Sequence, residues 1–203
     1  MTDFDALSDP EKLEALLAAG IAASEQNADE QALECYVKAA ELAPHDARAF
    51  HLAAAVWAKH GNTDAANDAF REALLRAPDL HVARFQWGLM QYSETTMPMA
   101  AATWEPLLHL SEDDPDDPLR LFVHGLLLVA SGDIATAIAQ IESGIAANTT
   151  NAPLNVDMAA IVDGLRPLLD SAAATQSEPA ESQTSEGEHF LLGAYRGPDQ
   201  PLH

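Results

Sequence analysis

Two prolines placed 34 residues apart constrain the fold of this chain more than any other feature, because they mark a repeat. Pro44 lies in AELAPHDARAF and Pro78 lies in LLRAPDLHVARF. The same offset relates small and large residues along the two segments: Leu16, Ala19, Gly20, Ala32, Tyr36 and Ala39 correspond to Phe50, Ala53, Ala54, Ala66, Phe70 and Ala73. A period of this length is typical of stacked supersecondary units, each of which buries its apolar face only against its neighbours.

The pattern resembles the tetratricopeptide repeat, a helix-turn-helix unit with the motif W-x2-L-G-x2-Y, then A-x3-F, then a proline. Trp87-Gly88 and Gly125 hold the L-G position of a third and a fourth unit. The third unit departs from the pattern, since the acidic run 111–118 replaces its single proline. The resemblance implies an all-α fold, a right-handed superhelix of about four units closed by a C-terminal capping helix.

The prolines also set the register of the predicted units within a repeat domain at 1–170. These units are 13–46, 47–80, 81–117 and 118–151, followed by a capping helix at 152–170. Gly88 and Gly125 are 37 residues apart, so we expect the acidic loop to absorb about three extra residues. Ser8 and Glu11 form a capping-box pattern at the start of the first helix. We expect nine helices and no sheet.

The remaining residues, 171–203, are predicted to form a flexible tail. Their Ser, Thr, Glu, Gln and Ala content rarely buries enough apolar surface to offset the entropy of ordering. The segment 189–195, HFLLGAY, is the exception, and its large side chains are Phe190, Leu191, Leu192 and Tyr195. Three interpretations stay open: this segment docks in a groove of its own chain or of a second copy, it is a motif for another protein, or it does nothing.

The resemblance implies that partners bind in a concave groove lined by about the second, fifth, ninth and twelfth positions of each first helix. The candidate groove residues are Leu17, Ile21, Arg48, His51, Phe85, Leu89, Tyr92, Phe122 and Leu126. The apolar side chains toward the C-terminal half favour an apolar peptide or an amphipathic helix as ligand. The alternative is that first-helix residues pack against neighbouring repeats. Leu17 and Ile21 stand where the two-carboxylate clamp for chaperone tails needs Lys and Asn, so that clamp is not expected.

The formal net charge of -22 limits the classes of partner. Nucleic acid requires Lys and Arg to replace released counterions, so we expect no nucleic-acid binding. Anionic membranes are disfavoured for the same reason, and no apolar run is long enough to span a bilayer. The N-terminal residues lack a basic region followed by an apolar one, so we expect a cytoplasmic protein. The charge suits a basic partner, or it serves solubility only.

The sequence carries no pattern for catalysis, a metal or a cofactor. None of the eight histidines forms an H-x3-H pair, and Cys35 is the single cysteine. The acidic run lacks the glycine and terminal glutamate of a calcium loop, and no phosphate-binding or nucleophile motif occurs. We therefore expect no catalytic residue, no metal ligand and no cofactor, and predict that the chain is not an enzyme.

The sequence thus predicts a protein–protein interaction module, an adaptor or assembly factor that holds an apolar peptide or helix. Two alternatives remain from architecture alone. One is a cytoplasmic chaperone for bacterial secretion substrates, and the other is a homo-oligomeric scaffold. Fold alone does not distinguish them.

Overall fold

A computed structural model describes residues 7–92, 96–110 and 117–175. The described residues form nine α-helices and no strand. The helices are α1 Asp9–Glu25, α2 Asp29–Leu42, α3 Ala47–Lys59, α4 Thr63–Arg76, α5 His81–Gln91, α6 Met97–Leu108, α7 Pro118–Ser131, α8 Ile134–Ala147 and α9 Ala152–Thr175. The helix pairs α1–α2 to α7–α8 are compatible with the four predicted units, whose boundaries stay a prediction.

Most helices begin at a residue whose side chain accepts a hydrogen bond from the first turn. Asp46 accepts from the backbone N–H of Arg48 at 2.8 Å, and Asp117 accepts from that of Arg120 at 3.0 Å. At the start of α1, the Glu11 carboxylate accepts from both the backbone N–H and the hydroxyl of Ser8. These contacts satisfy donors that a helix leaves unpaired at its N-terminus.

The chain divides into two compact units, Met1–Trp87 and Gly88–His203, and the division falls within α5. In unit 1, α1 packs on α2 and α3 packs on α4, while α2 also contacts α3. One buried cluster joins the first three of these helices; it consists of Leu13, Leu17, Ala32, Tyr36, Ala39, Ala49 and Val56. Burying each large apolar side chain contributes about 1.5–3 kcal/mol.

In unit 2, α7 packs on α8, which in turn packs on α9, and α6 contacts α7. The largest fully buried side chains of this unit are Trp104, Leu107, Phe122, Val123, Leu126, Ile141, Met158, Ile161 and Leu165. The last helix is longer than predicted. It continues to Thr175, so residues 171–175 of the predicted tail are helical. Residues 176–203, including the segment 189–195, lie outside the described residues.

Glycine lies at the crossing between the two helices in three of the four repeats. A Cβ atom on Gly20 would lie 2.8 Å from Cδ1 of Tyr36, and one on Gly125 would lie 2.5 Å from Cγ1 of Ile141. Gly88 stands in the same relation to Trp104. Such distances are too short for a real side chain, so these positions accept only glycine while the partner residue keeps its place.

Candidate partner-binding surfaces

The structure buries five of the nine candidate groove residues. Leu17 is 4% exposed and Tyr92 is 6% exposed, and the other three are completely buried: Phe85, Phe122 and Leu126. A partner cannot contact these side chains while the repeats keep this packing. The remaining four candidates have exposed or half-buried side chains, and they are Ile21, Arg48, His51 and Leu89.

The burial has a regular cause. Leu17, His51, Phe85 and Phe122 all occupy the fifth position of a predicted unit, and each is buried or half-buried. The ring of Phe122 faces α8, since its Cε1 would lie 2.6 Å from a Cβ atom on Gly144. The fifth position thus packs into the core of the repeat, and the apolar character that suggested a ligand serves the fold.

Tyr92 is likewise held inside unit 2. Its hydroxyl donates to the backbone oxygen of Leu126 at 3.0 Å, and its ring lies 5.8 Å from that of Trp104 between centroids. Burial raises the pKa of Tyr92 to about 12. The phenol is therefore a neutral hydrogen-bond donor at physiological pH, and it links α7 to the end of α5.

In unit 1, one face of α1 stays open. Glu14, Ala18 and Ile21 are exposed at intervals of four and three residues, which places them on one side of the helix. Ile21 is 42% exposed. Arg48 of α3 reaches this face, because its guanidinium lies 2.8 Å from the Glu14 carboxylate. We call Glu14, Ala18, Ile21 and Arg48 the first-helix surface of unit 1.

Arg48 is fixed by two carboxylates. Its Nε donates to Oδ1 of Asp46 at 3.0 Å, and its terminal nitrogen donates to Oδ2 at 2.6 Å. Hydrogen bonds from Arg48 lower the pKa of Asp46, and those to Asp46 and Glu14 raise the pKa of Arg48. The ion pairs of Arg48 with Asp46 and Glu14 thus form a polar rim beside Ala18 and Ile21.

His51 lies one turn after Arg48 on α3 and is half-buried. Its Nε2 is 2.6 Å from Oε1 of Gln86, so this nitrogen carries the proton and donates. The ring centroid lies 6.4 Å from that of Phe70. Burial lowers the pKa of His51. The ring is therefore neutral at pH 7 and is a packing residue with one polar contact rather than a charged ligand contact.

A second concave feature of unit 1 lies at the turn between α1 and α2. This open cleft of about 570 Å³ is lined by Asn27, Ala28, Asp29, Glu30, Gln31, Leu33, Trp57 and His60. Asp29 is 8% exposed, and its Oδ2 accepts from Lys59 at 2.9 Å and from His60 at 2.8 Å. Burial raises the pKa of Asp29, but these hydrogen bonds outweigh burial and leave it lowered.

Sequence reasoning missed Glu14 and the Asp29 cluster. Glu14 precedes Arg48 by one repeat length of 34 residues, so the period itself contained a signal for that ion pair. Asp29, Lys59 and His60 have no periodic relation, because they join the first turn of α2 to the end of α3. Within the described ranges, no group of three His, Cys, Asp or Glu side chains is arranged to hold a metal ion.

Solved structures share this arrangement of helices. A structure described as the functional characterization of Pseudomonas aeruginosa PilF aligns with a TM-score of 0.60 and 17% identity, over 94% of this chain and 79% of that chain. A tetratricopeptide repeat protein from Parabacteroides merdae ATCC 43184 aligns with a TM-score of 0.56 and 18% identity, over 85% and 68%. No family model and no curated protein matches the sequence. The predicted all-α tetratricopeptide-repeat fold is confirmed.

The helices that the structure describes include none with the length and hydropathy needed to cross a bilayer.

Proposed function

We propose that this chain is a protein-interaction module, an adaptor or assembly factor, that binds an apolar segment of a partner on the first-helix surface of unit 1. The observation that carries the proposal is the exposure of Ile21, 42%, on the open face of α1. Tetratricopeptide-repeat folds present such helix faces side by side, which suits recognition of another protein's segment.

Unit 1 is favoured over the first helices of unit 2 by side-chain exposure. The candidates of unit 2 are buried except for Leu89, which is half-buried. On α1, by contrast, Ala18 and Ile21 are both exposed and Ala22 follows them. A partner helix can bury these small apolar groups without displacing a core side chain.

The charged rim sets the orientation of the partner. The Arg48–Glu14 pair has side chains 47% and 64% exposed, and ion pairs of that exposure contribute little to stability. Charges at the edge of an interface act chiefly on specificity and on the association rate. We therefore assign affinity to the apolar contact at Ile21 and orientation to Arg48 and Glu14.

A displayed library of short random peptides tests the proposal. Peptides selected on the full chain are measured by fluorescence anisotropy against wild type, Ile21→Glu and Val37→Glu. Val37 is the matched control, because it is 56% exposed on α2 of the same unit. We expect Ile21→Glu to weaken binding at least about tenfold, equal to 1.4 kcal/mol, and Val37→Glu to leave it unchanged.

Equal binding by Ile21→Glu and wild type would exclude this surface, provided that both variants keep the helical circular dichroism of wild type. Substitution of Phe85 or Phe122 does not serve this purpose. Both side chains are fully buried, so a charge there disrupts the fold rather than the surface.

The two alternatives give other results in the same assay. A chaperone for bacterial secretion substrates keeps one aggregation-prone client in solution, with that client's apolar segment competing with the selected peptides. A homo-oligomeric scaffold self-associates without any peptide, and Ile21→Glu then changes its mass in solution.

A further inference from the structure

The last helix of unit 2 carries apolar side chains on both of its faces. One face packs on α8 through Leu154, Met158, Ile161, Val162 and Leu165, which are all buried. The opposite face carries Val156, Ala159, Ala160 and Pro167, all of them exposed. We call these four residues the outer face of α9. Val156 is 69% exposed, as much as any large apolar residue of the described chain.

This face is unlike the polar surface that a terminal capping helix needs. A repeat array requires a solvating outer face at its end, because no further repeat covers it. On this face Val156, Ala159 and Ala160 form an apolar turn, and charge enters only beyond it, at Asp163 and its ion-pair partner Arg166, 3.7 Å apart. The adjacent exposed side chains of Val156, Ala159 and Ala160 offer an apolar surface that another segment can cover.

We propose that residues 189–195, HFLLGAY, of the same chain cover the outer face of α9. This segment supplies Phe190, Leu191, Leu192 and Tyr195, whereas residues 176–188 contain no residue larger than Gln or Glu and none that is aliphatic beyond Ala and Pro. The segment therefore matches the outer face in chemistry, apolar against apolar, and its neighbours do not.

The length of the connecting chain allows this docking. Thirteen residues, 176–188, separate Thr175 from His189 and span at most about 45 Å. Val156 precedes Thr175 by 19 residues, which is about 28 Å along the helix axis. Every part of the outer face is thus within reach of the segment.

The same connection favours this occupant over a second copy or another protein. A tethered segment is present at an effective concentration of about millimolar, whereas a separate chain loses translational and rotational freedom on binding. The inference is independent of the first-helix surface of unit 1. It assigns residues 189–195 to the outer face of α9 and not to the candidate groove residues. Those residues therefore need no partner within the chain.

Hydrogen exchange on the full chain, read by mass spectrometry, tests the docking. We expect the amides of 189–195 to exchange at least about tenfold more slowly than those of 176–188 in wild type. Val156→Glu should remove that protection, and Val37→Glu, at an exposed valine of unit 1, should retain it. Absence of protection in wild type, or its survival in Val156→Glu, overturns the proposal.

A second variant controls for the possibility that Val156→Glu alters the structure of α9 itself. Phe190→Asp with Leu192→Asp changes only the segment, and methyl resonances report its effect on the helix. We expect the Val156 methyl signals to shift relative to wild type and those of Val37 to stay. Unchanged Val156 signals overturn the proposal. Protection that appears only as protein concentration rises also overturns it, because a second copy then supplies the segment.

Discussion

In three of the four repeats, a glycine of the first helix lies against one large side chain of the following helix, and Ala54 and Phe70 hold the equivalent positions of the second repeat. The pairs are Gly20 with Tyr36, Ala54 with Phe70, Gly88 with Trp104 and Gly125 with Ile141. In three of them glycine leaves no room for a methyl group. Glycine within a helix costs about 1 kcal/mol relative to alanine, so its presence here reflects packing and not helix propensity.

Gly88→Ala tests whether packing or helix propensity determines stability at this crossing. The new Cβ would lie 2.5 Å from Cδ1 of Trp104, so the indole or the helix has to move. We expect the free energy of unfolding to fall by about 1–3 kcal/mol, as for other overpacked sites. Urea denaturation of the full chain measures the change.

The control is the same substitution with a smaller partner. In a Trp104→Phe background, Gly88→Ala should cost less, because the ring no longer fills the crossing, and the difference is the coupling energy of the pair. If Gly88→Ala instead stabilises the wild-type chain, the helices are further apart than the structure places them.

The sequence predicted these pairs because periodicity reports which residues share a place in successive repeats. Periodicity did not predict whether the side chain at the fifth position of each unit packs into the core or contacts a ligand. Phe85 and Phe122 have the chemistry of both a core residue and a ligand contact, and a shift of one residue rotates a side chain by about 100°. Only the packed structure distinguishes the buried Phe122 from the exposed Ile21.

At the scale of helices, the 34-residue period gave no signal for one contact, which lies at the start of α2. The Asp29 carboxylate joins this turn to Lys59 and His60 at the end of α3. It thereby ties the first repeat to the second with charge-assisted hydrogen bonds. Such bonds are stronger than those between neutral groups, and here the acceptor is buried while both donors remain partly exposed.

Asp29→Asn should lower the free energy of unfolding at pH 7 by about 1.5–3 kcal/mol, the contribution of hydrogen bonds to a charged group. Because the pKa of Asp29 is lowered in the folded state, its stabilisation is complete above the unfolded value, near 3.9, and is lost as pH falls through the folded value. The gap between variant and wild type should therefore shrink below about pH 4.

Glu34→Gln, at an exposed site on the same helix, is the matched control and should change stability little at either pH. A gap between Asp29→Asn and wild type that persists undiminished at acid pH would show that the charge of Asp29 is not the source of the effect. Thermal melts at several pH values provide the measurement.

Composition was a poor guide to the residue at which α9 ends. The boundary at 170 relied on the polar character of the residues that follow. Residues 172–174 are three alanines, however, and alanine has the highest helix propensity of all residues, so they extend the helix already formed. Low hydrophobicity argues against a core contact, and it says little about whether a helix simply continues.

Across the whole chain, charge is distributed unevenly between the two units. Only three of the ten basic residues, Arg120, Arg166 and Arg196, follow Trp87, whereas 17 of the 32 acidic residues do. Self-repulsion among carboxylates opposes the compact state. The net charge of -22 is therefore a cost to folding as well as an aid to solubility.

Salt should stabilise the full chain. Raising the ionic strength from about 0.01 M to 0.1 M shortens the screening length from about 30 Å to 10 Å, which weakens repulsion between distant carboxylates. We expect the melting temperature to rise with NaCl. The rise should be smaller in a variant with Glu30, Glu34 and Glu41 of α2 changed to Gln. A melting temperature that falls with salt would mean that attractive ion pairs outweigh the repulsion.

The constant offset within the small–large pairs has a consequence for how this chain can evolve. The two members are 16 residues apart in all four repeats, although the spacing between repeats changes from 34 to 37. The three additional residues fall between Trp104 and Gly125, a stretch that includes the connection 109–117 between α6 and α7. Since every crossing is completed inside its own repeat, insertions and deletions at that junction leave all four crossings in register. A change of length within 109–117 should thus be tolerated, whereas a change in the 16-residue distance from a small residue to its large partner should disrupt that crossing.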